Sequence, residues 1–502
     1  MQVTVPLITN LLASNVSEAS FSDWLAATTY GAGVRVYILY SDFPELLSYG
    51  DCTFDQFEVD GPEWSYDGTN SEYDCDGAQA GNTKIYQNSN VIDTDDLYLV
   101  VYEVKNYVAG EVKAYVQGGL GTARSADGTY LEVVTAGSTD TKSGVQGNAT
   151  FDGSITNLSI KKIGAYYSRD VYESQEAANA NNYPPDDDGT NWAKVSASNR
   201  WKMFDDFMAS QAENTVKIST KVKANKTNSL AFFLAEATNI EYIVSDDSTT
   251  ETSVTNETPA AGDISMVVST NNTWAVGQKV EVYVTADQRA FFAGTIKTWD
   301  QGTGAITITS AVYDDPAGSA PYAAWTMALV YDHESTSLYQ EEVLSWTDYF
   351  FSPIRFSSSK AFSYTYSYNT SCRVIFTGSA TSMIRVGHLV VGHSLYLGQT
   401  RYGLKGGITD FSTKDANSFG EYQLVERAWA KELRYTLNVL TDGLDQVFQI
   451  LTQLRATPCV YDGNNDSTSM SLPVAFGFFS DFEVMIQSNK TSECELEVQG
   501  LT

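Results

Sequence analysis

Two half-patterns of aromatic residues, separated by the whole of residues 41–163, place the tightest limit on how this chain can fold. The first reads Trp24-Leu-Ala-Ala-Thr-Thr-Tyr30-Gly-Ala-Gly33-Val34-Arg-Val36. An aromatic, a second aromatic six residues on, a glycine turn and an alternating valine strand begin a small hairpin. The completing half does not follow directly. It comes later, as Val171-Tyr172-Glu-Ser174, a loop Tyr183-Pro-Pro-Asp-Asp-Asp-Gly189, and Trp192-Ala-Lys-Val195. An isolated hairpin is marginal in water, so the halves are expected to fold together around an inserted domain. Just beyond lies Asn199-Arg-Trp201-Lys-Met203-Phe204-Asp, whose Trp201 and Phe204 are predicted to be core.

The rest of the chain reads as strands and turns. At 502 residues it is too long for one core. Its 31 Tyr, 23 Phe and 36 Gly suit pleated, half-buried surfaces joined by tight turns. The fold class expected is mainly β: nested β-sandwich or jelly-roll modules, with one helix near the C-terminus. Strands are predicted at 97–107, 111–117, 129–135 and 155–162 within the insertion. A second β pattern begins near 207, is interrupted by 249–328, and resumes with Trp346–Pro353 and strands at 361–367 and 371–377. The interruption alternates apolar residues between Gly turns, as a small closed barrel or sandwich would. Four domains follow: 1–40 with 164–206, 41–163, 207–248 with 329–502, and 249–328. The helix shows Leu444, Val447, Phe448, Leu451 and Leu454 on one stripe, capped by Thr441 or Asp442, with Pro458 beyond its end.

Charge and motif content narrow the function. The net charge of −31 argues against nucleic acid, whose phosphates need clustered Lys and Arg, and against an anionic membrane surface. No run of about 18 apolar residues is present, and the N-terminus lacks a signal-peptide pattern, so synthesis in a cytoplasm is expected. The five Cys have no metal spacing. Cys52 and Cys75 flank one acidic loop and are the candidate disulfide, with two buried thiols as the alternative reading. His388 and His393 lie five apart in one strand and so face opposite ways, which disfavours a shared metal, and His333 stands apart. Asp93, Asp95 and Asp96, like Asp186, Asp187 and Asp188, read as solvated turns without the Glu of an EF-hand loop. No nucleophile or phosphate-loop motif occurs, and no carboxylate pair stands out. The expectation is therefore no enzyme and no cofactor.

The joined aromatic halves resemble small chitin-binding modules and, more closely, a leader of bacteriophage tail proteins. In that leader the pattern Trp…Thr-Tyr-x-x-Gly-x-x-Val precedes Tyr-Glu-Ser, Trp-x-x-Val and Asn-Arg-Trp-x-Met-Phe-Asp. The segment Phe151-Asp-Gly153-Ser-Ile155-Thr156-Asn157-Leu-Ser159 resembles the last strand of jelly-roll carbohydrate-binding modules, with Thr156 where they carry Asp; that departure weakens the case for a structural calcium. Trp274-Ala-Val-Gly277-Gln-Lys-Val280 resembles a module of phage tail and fibre proteins. These resemblances imply a virion protein of a tailed phage, from the tail tip, baseplate or fibre base. They imply neighbouring tail proteins and a host-surface polysaccharide as partners, and a symmetric homo-oligomer, with three-fold symmetry favoured. Trp24, Tyr30 and Trp192, with Trp64, Tyr66 and Tyr73 on the acidic loop, are the glycan-facing candidates, because flat rings cover the apolar faces of sugars.

Overall fold

Alternation at period two governs almost the whole chain, and strands dominate the computed structural model. It describes residues 1–502 except 8–9, 20, 26–27, 41–44, 89–91, 164–167, 181, 187, 206, 208–209, 270–273, 287, 317–320, 339–356, 366–367, 380–381, 417–421, 465–471, 487, 489 and 502. The expected Trp346–Pro353 segment lies outside the described residues. The chain divides into two units, Ala19–Ser198 and Met1–Glu18 with Asn199–Thr502.

In the Ala19–Ser198 unit, strand Arg35–Tyr40 pairs antiparallel with Ser168–Ser174, which pairs with Trp192–Ala197. Ser22–Asp23 joins the other edge in parallel. Tyr40 and Ser168 are register partners, so the chain leaves this small sheet and returns to it at adjacent positions. Between them stand two five-stranded sheets. The first runs in the order Gly128–Thr135, Leu97–Ala109, Asp152–Ile163, Glu72–Asp76 and Trp64–Asp67; the second runs Gly119–Leu120, Val112–Val116, Lys142–Gly147, Thr83–Asn88 and Glu58–Val59. Tyr98, Val100, Tyr102 and Val104, at every second position, meet Ile85, Ala114, Val116 and Val145 in one core. This is a self-contained sandwich.

The other unit corrects two expectations. Residues 1–17 do not belong to the aromatic module. Gln2–Pro6 lies between His388–Tyr396 and Cys459–Asp462 in a ten-stranded sheet, and Leu11–Ser14 pairs with Lys217–Lys223 in a nine-stranded one. Met1, Val3, Leu11, Ala13 and Val16 are the buried apolar residues that bind this segment there. Nor is 249–328 a closed barrel of its own. Strands Asn239–Ser253 and Trp325–Ser337 run straight through both expected borders, paired from Asn239↔Ser337 to Ser253↔Trp325. The intervening strands Lys279–Val284, Phe291–Asp300, Ala305–Asp314 and Gly262–Val267 extend the same sheet. They have their own core of Ile264, Val282, Phe292, Ile308 and Trp325. A register break between Ser245 and Thr250 marks where the sheet bends.

At that bend lies a buried charge cluster. Lys221 and Arg373 are directly opposite on adjacent strands, where like charges repel. Glu281 separates them, with Oε2 at 3.1 Å from Lys221 Nζ and Oε1 at 2.6 Å from Arg373 Nε. Ser245 donates to Glu281 at 2.6 Å, Lys221 Nζ lies 3.5 Å from the Tyr283 ring centre, and the Arg373 guanidinium lies 3.8 Å from that of Phe291. Burial pushes the Glu281 carboxyl upward, but Lys221, Arg373 and the Ser245 bond together hold it well below the usual carboxylate range.

The described residues hold one α-helix, Leu444–Gln453, entered through a 3-10 turn at Thr441–Gly443. Its N-cap is Gly443, without a side-chain bond, rather than Thr441 or Asp442. Thr441 is committed elsewhere, its hydroxyl donating to the Ser488 carbonyl at 3.1 Å. Val447 and Leu451 face the sheet, whereas Phe448, expected on the same stripe, is 62% exposed. Of the Trp201–Phe204 pair, ring centres 5.7 Å apart, both are half-buried; Met203 between them is the fully buried residue.

Removing the anion from the buried cluster strands two cations. Glu281→Leu is expected to destabilise the unit by about 3–5 kcal/mol, measured by denaturant unfolding. Lys297→Ala, which breaks an exposed pair with Asp263, leaves the unfolding midpoint where it was, because solvent screens such pairs.

Candidate functional site

The six aromatic candidates do not form a sugar platform. Trp24, Tyr30 and Trp192 converge with Val36 and Ile38 in one core, Trp24 against Tyr183 at 5.4 Å and Tyr30 edge-on to Trp192 at 5.2 Å. Trp64 and Tyr73 are buried inside the sandwich. Their polar tips are bonded internally: Trp192 Nε1 donates to the Asn182 carbonyl, Trp64 Nε1 to Thr83 Oγ1, and the Tyr73 hydroxyl to Asp55 while accepting from the Gln56 and Phe57 amides. Tyr66 alone keeps a half-exposed ring, leaning on Tyr73, and its hydroxyl donates to the Cys52 carbonyl. Domains this small need their large rings for the core, and that requirement overrides display.

Cys52 and Cys75 are free thiols, both buried, and no disulfide joins them. Burial pushes the first up to about 11 and the second up to about 12. Asp93, Asp95 and Asp96 lie in a solvent-facing turn, where Asp93 and Asp96 pair with Lys162 at 2.9 and 2.5 Å. Asp187 lies outside the described residues, and nothing is described of the Asp186 side chain. Thr156 donates to the Ser71 carbonyl at 2.8 Å. Nearby, carboxylates of Asp67, Glu72 and Asp74 come within 4.8 Å of one another, but each already accepts bonds from protein groups: Thr69 and Asn70, Asn106, and Ser154 respectively. His388 is buried with its ring stacked on Phe476 at 4.1 Å, and burial pushes its pKa down to about 4.

The arrangement with ligand chemistry is the outer face of the second sandwich sheet. Register places Lys113, Gln146 and Lys84 in one cross-strand row and Tyr115, Gly144 and Tyr86 in the next, all on one face. Ala114, Val145 and Ile85, the alternating partners, point into the core. Gly144 is required, since a Cβ there would meet the Ile85 carbonyl oxygen at 2.1 Å. Lys84 Nζ lies 4.2 Å from the Tyr115 ring centre and 3.7 Å from Asp140; Lys142 Nζ lies 4.1 Å from the Tyr86 ring centre and 2.7 Å from Asp60. Tyr115 donates to Asp140 at 2.6 Å, and Asn88 to Glu58 at 3.0 Å. The Asp60 bond raises the Lys142 pKa, keeping it a cation. Among the described residues, neither Lys113 Nζ nor the Gln146 amide has a protein partner. Lys84, Lys113 and Lys142 balance Glu58, Asp60 and Asp140, so the face is formally neutral while dense in fixed donors and acceptors. Such a surface suits an uncharged polyhydroxylated ligand, whose neighbouring hydroxyls both donate and accept. In sequence the only sign of it is Lys-x-Tyr alternation at 84–86 and 113–115.

Fold and face together define a mainly β, multi-sheet protein with a grafted sandwich. Comparison with protein-family models finds no match, and comparison with curated proteins finds none either.

Native Cys52 and Cys75 are expected to resist a thiol reagent and to react fully after unfolding, with the melting temperature unchanged by reductant; a thiol count in native and denaturing buffer checks this. His388 sets a pH dependence. Its folded pKa lies below the ordinary 6.5, so the unfolded chain takes up a proton first. Stability is full above about pH 6.5 and falls as pH drops toward 4, by up to about 1.4 kcal/mol per pH unit. His388→Gln flattens that slope in unfolding titrations.

Proposed function

We propose that this chain is a structural virion protein of a tailed bacteriophage, from the tail tip, baseplate or fibre base. It assembles with other tail proteins as a symmetric homo-oligomer and holds a bacterial surface polysaccharide through its sandwich. The observation that carries the glycan reading is the outer sheet face, where Lys113 and Gln146 have no partner among the described residues beside a preorganised network of Lys84, Lys142, Asp60 and Asp140. Single sites of this polar kind bind sugars weakly; repetition around a symmetric tail raises avidity by about 10²–10⁴ where several engage together. The assembly reading rests on the sequence resemblances and on the mainly β build, and no catalytic role is assigned.

A second reading, a connector that binds no glycan, is favoured by one feature: lysine ammoniums cover both tyrosine rings of the face, leaving them 6–7% exposed.

A glycan array probed with the full chain separates the two. Binding to neutral host polysaccharides is expected, and Lys113→Ala with Gln146→Ala lowers it at least about tenfold while the melting temperature holds, since both residues are surface groups. Silence across all host polysaccharides selects the connector.

A further inference from the structure

The ten-stranded sheet carries a ribbon whose outer apolar side chains are exposed among the described residues. Lys405–Asp410 pairs with strand Trp429–Leu440 over residues 429–434, and Thr413–Ala416 pairs with Tyr422–Val425 beyond it. The neighbouring strand Thr491–Gly500 backs Trp429–Leu440 only from Glu432 onward. The outer part of the ribbon is therefore two-stranded, an arrangement marginal in water by itself. It nevertheless exposes Ile408 at 70%, Leu424 at 71% and Trp429 at 52%, with Phe411 and Val425 beside them.

A second apolar surface lies farther along the same sheet, level with Tyr435–Asn438. Phe448 of the helix, 62% exposed, lies 6.5 Å from Phe482. Val484 shares the Phe482 face of strand Val474–Met485 by alternation, while Leu440 and Met485 are exposed on the other face of the sheet. Among the described residues, 480–485 pair only with Thr491–Gly500, so the other edge of that strand is open. Open edges are templates for addition of another chain.

Charge says what fits there. Residues 401–434 hold six Lys and Arg against five Asp and Glu, a net +1, in a chain of −31; the remainder carries −32. The acceptor segments, 440–453 and 480–486, contain Asp442, Asp445, Asp481 and Glu483 and no cation.

We propose that the ribbon of one copy seats on the Phe448–Phe482 surface and open strand edge of the next copy. Donor and acceptor are different patches: Phe482 is level with Leu496 and Tyr435, six residues along the strand from Trp429, roughly 20 Å at about 3.3 Å per residue. The contact is therefore heterologous, and it closes into a ring when the rotation between copies permits. This interface goes beyond the glycan reading and does not depend on it.

Sedimentation of the full chain tests the proposal. The wild type is expected to form closed or chained assemblies. Leu424→Glu with Trp429→Glu, and separately Phe448→Lys, each abolish them and leave monomers. Mixing the two variants restores one intact contact per pair and gives dimers only, which also proves that both are folded. A monomeric wild type at high concentration overturns the proposal. So does assembly that survives either variant, or a mixture that stays monomeric.

Discussion

Three buried charges hold the nine-stranded sheet in its bent form. Lys221 and Glu281 lie on strands separated by three others in sheet order. In a flat sheet that spacing is roughly 19 Å, yet their charged atoms are 3.1 Å apart. The sheet must fold over, and the break between Ser245 and Thr250 is where it does. Burying three charges is costly. What it secures is register: with Lys221 and Arg373 paired, only a carboxylate in Glu281's position satisfies both. A one-residue slip would leave every member of the cluster without its partner.

The sandwich follows a different logic. Its two sheets pack on one apolar core, and of the acidic loop's large rings Phe57, Trp64 and Tyr73 are spent on it, while Tyr66 is half-buried and Phe54 exposed. That frees the outer face of the second sheet from packing duties. Cross-strand rows there align lysines over tyrosines, so the polar groups are held in place before any ligand arrives. Preorganisation of this kind reduces the entropy lost on binding.

The β character and the single helix were legible in the sequence because period two and period 3.6 are separate signals. Strand existence was legible too: Leu97–Ala109, Val112–Val116 and Gly128–Thr135 lie where alternation and glycine turns place them. Borders were not. Asn239–Ser253 is 15 residues long and serves both the parent sheet and its extension, so no turn or composition change marks the crossing at 248. Residues 1–17 look like a linker because their partners, His388–Tyr396 and Lys217–Lys223, lie hundreds of residues away. The aromatic candidates stayed open between two roles for a plain reason: a tryptophan needed by a small core and one offered to a sugar look identical in one dimension. The face built by Lys84, Lys113 and Gln146 was illegible because it exists only once three strands are in register.

The exchange between Tyr40 and Ser168 has a consequence for how such a chain diversifies. Entry and exit of the sandwich occupy a single rung of a host ladder. Any domain whose own ends lie about 5 Å apart fits that socket without altering the host's pairing. Replacement of the cargo, by recombination in nature or by grafting in the laboratory, then leaves the supporting sheet as it was.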